Sequence, residues 1–230
     1  MQMKPDEIKN VFFSFCDEAS QPYHRYYSFD LCYSHFRNLK LKNEINIEQS
    51  RFVLWSYLGS WGMLRGSSYL LKTKNPLYFK ELVEWVYCQD KTVWEIDVED
   101  YRTPEKVEII LKIYQVIFDK ISDGENKPTK TLITKIILGV FGILPAFDSF
   151  FCKTFEFSNS KVTQKNIIKI YDFYLENKQV IDELQKERFV KDSNHNSTNW
   201  HYTKAKIIDM YGFQKERNRR KRLSETEKDT

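Results

Sequence analysis

The stretch TLITKIILGVFGILPAFDSFF, Thr131 to Phe151, decides the fold class. From Ile136 to Phe147 it carries no charge, yet it is interrupted by Pro145 and is shorter than the roughly 20 residues that a bilayer requires. It reads as a helix (TLITKIILG), a turn (VFGIL) and a second helix (PAFDSFF) opened by Pro145, where a missing N–H is tolerated.

Outward from it, apolar spacing is helical almost throughout. In PDEIKNVFFSFCDE, Ile8, Val11, Phe12, Phe15 and Cys16 recur at i, i+3, i+4, i+7 and i+8 behind an Asp6 cap. An aromatic helix is expected over Tyr23–Leu39 and a long one over Ile47–Leu71. Asn75-Pro76 and Thr103-Pro104 each place proline just after a cap, predicting helices to Cys88 and Ile121. SDGENKP (Ser122–Pro128) is a loop, and Thr129–Leu138 is helical. Thr163 opens a long helix to Lys191, Lys191–His201 is a polar loop, and Thr203–Tyr211 forms a last short helix. Val93–Val98 is the one strand candidate. The expectation is an all-α single domain of about eight or nine helices over residues 1–214, with a charged, flexible tail over 215–230.

Apolar residues make up 41% of the 230 and aromatics 16%, enough for a sizeable core and too many for a disordered chain. The beginning, MQMKPDEIKN, has no apolar h-region. Cys16, Cys32, Cys88 and Cys152 are widely spaced without a C-x-x-C pair, so they read as reduced core thiols of a cytoplasmic protein. The net charge of +4 belongs mainly to the tail, where KERNRRKRL runs from Lys215 to Leu223. Arg217, Arg219, Arg220, Lys221 and Arg222 there either neutralise phosphates of DNA or RNA, or form a solvated end balanced by the acids that follow.

Of only seven glycines, Gly59, Gly62 and Gly66 fall on one face of the expected 47–71 helix. Each glycine inside a helix costs about 1 kcal/mol relative to alanine, so the seam calls for a close approach, of another helix or of a ligand. Arg65 follows Trp61 by four residues and precedes Tyr69 by four. An arginine between aromatics can stack while its fork grips a phosphate or carboxylate; alternatively it closes an ion pair with Asp148, Asp209 or Glu84. Ser67 and Ser68 could add hydroxyls. At Gly139 and Gly142, a turn before a helix start could hold phosphate on backbone N–H groups. This arrangement resembles the helix-hairpin-helix element of DNA glycosylases, departing from it in having two residues between the glycines. The resemblance implies nucleic-acid binding and one aspartate acting in an aromatic pocket.

The trio SWGMLRGSS, TKIILGVFGILPAFD and YTKAKIIDMYGF also resembles a family of bacterial proteins of unknown function. That resemblance implies a shared fold and a shared pocket to which Arg65, Lys135, Asp148 and Asp209 contribute. Asp148 and Asp209 are the candidate acid–base or nucleophile pair. His24, His35, His195 and His201 lie outside any zinc-like spacing, and phosphate, dinucleotide and serine-nucleophile fingerprints are absent, so neither metal nor cofactor is expected. The acidic run Glu95, Asp97, Glu99 and Asp100 reads as a solvated face or turn. Together these features predict a helical protein acting on or beside nucleic acid, with no membrane partner. Trp61, Arg65, Ser67, Tyr69 and Lys135 would bind substrate. The alternatives are a non-catalytic protein-interaction module and an enzyme on a small phosphorylated ligand. An open pocket holding Arg65 and Asp148 would favour the enzyme readings, an aromatic groove rimmed by cations nucleic acid, and a filled core with Arg65 ion-paired the interaction module.

Overall fold

Helix α7 (Lys130–Phe141) explains the architecture, because every residue from Leu132 to its end is buried. Thr129 caps it by accepting from the Leu132 N–H. A helix surrounded on all sides must be apolar all round, and its buried part, LITKIILGVF, satisfies this except at Thr134 and Lys135. The computed structural model describes residues 5–19, 21, 23–157 and 161–226. Around α7 pack α2 (Ser28–Lys42), α3 (Ile47–Ser60) and α6 (Pro104–Lys120). The remaining helices are α1 (Pro5–Ala19), α4 (Tyr69–Thr73), α5 (Lys80–Tyr87), α8 (Ser149–Thr154), α9 (Gln164–Glu176), α10 (Lys178–Glu187) and α11 (Lys204–Thr226), with α11 packed against α1, α8 and α10. A single antiparallel hairpin, β1 (Phe189–Lys191) with β2 (Ser197–His201), is the only sheet among the described residues. The chain is therefore an all-α single domain, as its periodicity predicts. None of its described helices is long and apolar enough to cross a membrane.

The segment after α7 is not a surface hairpin. Gly142 ends the helix with φ 73°, and Ile143 to Phe147 then run through the core, all buried. Buried backbone needs partners, and distant side chains provide them. Tyr101 donates to the Ile143 carbonyl at 2.7 Å, Asp209 accepts from Ala146 N–H at 3.0 Å, and Thr134 accepts from Phe147 N–H at 2.9 Å. Pro145 lies within this segment, and α8 starts only after Asp148. The expected glycine-turn phosphate site is thereby corrected: its backbone is enclosed.

The long helix expected over 47–71 is also two. Gly62 adopts φ 75° after α3, its N–H returns to the Gly59 carbonyl, and the Met63 N–H returns to Leu58, both at 2.9 Å. This left-handed ending stops the helix, and the glycine seam does not form. A Cβ on Gly66 would meet nothing within 4 Å. Close approach is instead made at other glycines, most tightly at Gly139, where a Cβ would lie 2.3 Å from Tyr57 Cε1, so α3 meets α7 ring against backbone.

Other boundaries shift for local reasons. Lys91–Val93 and Val98–Arg102 are 3-10 turns, so Val93–Val98 is not a strand. The polar stretch around 191–201 instead forms the hairpin, its turn held by Asp192 accepting from Asn194 and Asn196 N–H groups at 2.8 and 2.9 Å. Asn177 divides α9 from α10. Cys88 is exposed, unlike the buried Cys32 and Cys152. Most consequentially, α11 runs unbroken through the expected boundary at 214–215. The tail is helical to Thr226, while Glu227 to Thr230 lie outside the described residues.

Candidate functional site

Trp61, the residue that caps the end of α3, is the hub of the interior. Two buried ammonium groups face its indole, Lys135 Nζ at 4.2 Å and Lys206 Nζ at 4.8 Å from the ring centroid. Tyr26 stacks on it at 4.8 Å, and Phe213 meets it edge-on at 6.0 Å. A buried charge requires a partner, and each lysine has one: Lys135 pairs with Asp148 Oδ2 at 3.1 Å and Lys206 with Asp209 Oδ2 at 2.9 Å. Burial pulls Lys206 below the ordinary lysine range, against the attraction of Asp209.

The two aspartates singled out by sequence are thus fully engaged. Asp148 Oδ1 accepts from the Phe150 and Phe151 N–H groups at 3.0 and 2.9 Å, capping α8. Asp209 Oδ1 holds Ala146. A general base needs an oxygen directed at its substrate; here all four carboxylate oxygens already bind the protein, and these two residues act as anchors.

Beside Trp61 opens a cleft of about 470 Å³. Tyr26, Trp61, Phe150 and Phe213 contribute its aromatic surface, and Lys135 and Asp148 line it as well. Its remaining charges come from three separate elements: Arg25 from the 3-10 turn Arg25–Tyr27, Arg65 from the loop after α3, and Arg217 from α11. Arg217 grips Glu18, with Nη2 at 2.8 Å from Oε1, and this holds the Glu18 carboxyl below its usual range. Arg25 stacks over Tyr26 at 4.8 Å and donates to its hydroxyl at 3.0 Å. Arg65 is exposed: its carbonyl accepts from the Ser68 N–H at 2.7 Å, but its guanidinium forms no ion pair or hydrogen bond among the described residues.

A second cleft, about 390 Å³, shares Gly62, Met63, Arg65 and Thr129 with the first and adds Ser67, Tyr69 and Lys127. Arg65 therefore sits on the partition between two clefts. Tyr69 does not flank Arg65 as helical spacing suggested, because α3 ends first; its hydroxyl donates to the Ile121 carbonyl. The structure brings Arg65, Lys135, Asp148 and Trp61 to one cleft, Ser67 and Tyr69 to its neighbour, and Asp209 to the Lys206 side of Trp61.

The basic stretch of α11 is only partly offset by ion pairs. Arg219 and Arg220 both bind Glu216, at 2.7 and 2.9 Å, and Lys221 lies 4.0 Å from Glu225. Arg220 also covers the Phe150 ring at 4.2 Å. Arg222 forms no ion pair among the described residues.

Sequence reasoning passed over two buried groups and a half-buried one. Lys206 lay inside a quoted motif, but its depth depends on Trp61 and Phe29, which no local spacing reveals. Asp30 accepts from the Tyr202 hydroxyl and, at 2.8 Å, from the Lys191 N–H, and burial pushes it up to about 6. Asp97, expected on a solvated face, caps α11 by accepting from Lys204 and Ala205 N–H groups at 2.8 and 2.9 Å, and burial pushes it up to about 6 too. No cluster of His, Cys, Asp and Glu suited to a metal occurs among the described residues. Comparisons with protein-family models, curated proteins and solved structures find no match to this chain, so the three-motif and hairpin resemblances rest on sequence alone.

Proposed function

We propose that the cleft beside Trp61 binds the phosphate backbone of a nucleic-acid strand, with the basic stretch of α11 extending the contact. One observation carries this reading: arginines from three elements converge over an aromatic surface, and one of them, Arg65, has no protein partner among the described residues. A guanidinium fork matches phosphate geometry, and aromatic faces accept stacked bases without regard to sequence. An open cleft with an unpaired Arg65 is the reverse of what an interaction module with a filled core would present. The proposal is for binding; Asp148 and Asp209 serve it by anchoring Lys135 and Lys206. The cleft volume of about 470 Å³ favours a second reading, a single nucleotide-sized phosphorylated ligand.

Fluorescence anisotropy with labelled single-stranded DNA, single-stranded RNA and duplex DNA across a salt series tests the proposal. Arg65→Ala is expected to weaken binding about tenfold and to flatten the salt slope by about one. Neutralising Arg219, Lys221 and Arg222 together should reduce affinity further while leaving the Arg65 effect in place. If Arg65→Ala changes nothing, the cleft is not the nucleic-acid site. If the intact chain binds no strand at low salt, nucleic acid is abandoned and nucleoside monophosphates are the next titrants.

A further inference from the structure

A third cleft, about 310 Å³, shares no residue with the two around Arg65. It forms where the last turns of α2 meet the segment after the Lys91–Val93 turn and strand β2. Trp94, Trp200 and Leu41 supply its apolar surface, and Arg37 and Lys40 its charge. The Trp200 indole is fixed in place, donating from Nε1 to Asn38 Oδ1 at 2.7 Å. Arg37 lies over that ring at 4.5 Å and donates to the Trp94 carbonyl.

The charge balance here is unusual for this protein. In the interior each buried lysine has its aspartate, but Arg37 and Lys40 have only carbonyls. Lys40 Nζ donates to Gln89 and Tyr87 oxygens at 2.7 and 3.2 Å. The only acid lining the cleft, Glu95, is directed to Lys91 at 3.9 Å. Two half-buried cations therefore border an apolar recess with no carboxylate facing them. In addition, Arg37 Nε and Trp94 Nε1 are buried without any hydrogen-bond partner, and buried donors are ordinarily paired.

We propose that this cleft binds a small planar organic anion, an aromatic carboxylate, with its ring against Trp94, Trp200 and Leu41 and its carboxylate toward Arg37 and Lys40. The volume and apolar lining with a few convergent polar groups are those of a small-molecule pocket. A cationic ligand is disfavoured because Arg37, Lys40 and Lys91 border the recess and its one acid, Glu95, lies toward Lys91. A multiply charged phosphate chain suits the arginine-rich cleft at Arg65 better than this largely apolar one.

The test uses 2-naphthoate as probe, with the neutral alcohol 2-naphthalenemethanol and the cation 2-naphthylmethylammonium as comparators. The five tryptophans give separate indole N–H signals in a proton–nitrogen correlation spectrum, assigned by single Trp→Phe variants. Naphthoate is expected to shift the Trp94 and Trp200 signals saturably while leaving Trp61 in place, and the alcohol to bind about tenfold more weakly. Leu41 is 68% exposed, so Leu41→Glu keeps the fold and sets a carboxylate at the mouth. It should weaken naphthoate about tenfold, while Leu41→Gln should not. The proposal is overturned if the ammonium binds as tightly as the carboxylate, if the shifts centre on Trp61 or fail to appear at millimolar probe, or if Leu41→Glu binds as well as Leu41→Gln.

Discussion

Asp148 holds two structures at once, the first turn of α8 and the ammonium of Lys135. The roles separate by substitution. Asp148→Asn retains a good capping residue but leaves Lys135 charged and unpaired at 3% side-chain exposure. Removing one member of a buried pair costs about 3–5 kcal/mol, whereas replacing both with apolar residues is often neutral. Urea unfolding should therefore show Asp148→Asn destabilised by about that amount, and Lys135→Met in the same chain restoring most of it. A loss below about 1 kcal/mol in the single variant would mean that Lys135 does not depend on this carboxylate. Lys135, Asp148 and Asp209 were legible in the sequence because each is a charge set in a largely apolar motif. Their partners were harder to see. Nothing near Lys135 signals Trp61, and only folding reveals that two lysines flank one indole.

The elements that could be read from sequence are those whose ends are local. Asn75, Thr129 and Thr163 each accept a hydrogen bond from an N–H two or three residues on, so these starts fall where predicted, although Asn75 opens a 3-10 turn over Pro76–Phe79 ahead of α5 and the helix after Thr163 ends at Glu176. The end of α3 was hidden because Gly59, Gly62 and Gly66 continue the helical spacing even though Gly62 has left the helix; periodicity carries no record of a positive φ. The continuation of α11 was hidden for another reason. Basic residues in sequence suggested a flexible, solvated tail, but Glu216 lies among them at 3% exposure and pairs with two. Arg219 first, then Arg220, hold its carboxyl down at about 2. Because this lies below the unfolded value, the support is complete above about pH 4.5 and disappears as pH falls toward 2. Hydrogen exchange of amides 217–226 should accelerate in acid relative to α7, and Glu216→Gln should show fast exchange already at neutral pH with little further change. Equal acid sensitivity in both chains would remove Glu216 as the cause.

At the scale of the molecule, acid stability is a contest between buried groups of opposite sign. Burial beside Ser50 pushes His35 down to about 4, so the unfolded chain takes up a proton first and stability falls as pH drops below about 6.5. Asp30 and Asp97, raised to about 6, act oppositely: the folded chain binds their protons first, and stability rises as pH falls through 6. Urea midpoints at pH 7, 6 and 5 should change little in the parent chain and climb toward pH 5 in His35→Gln. Parallel profiles would exclude His35 as the opposing group. The all-α class was plain from composition and spacing, but the surroundings of these three groups were not, since residues far away in the chain supply them. The packing of α1 against α11 has a further consequence. Phe15 rests edge-on against Phe213 at 6.3 Å, and Glu7 meets Lys215 at 3.0 Å, yet a ribosome adding about 5–20 residues per second makes these partners roughly ten to forty seconds apart. For that interval the aromatic face of α1 belongs to a nascent chain whose cover has not been synthesised, so aggregation during translation should depend on Phe12 and Phe15 more than the finished fold would suggest.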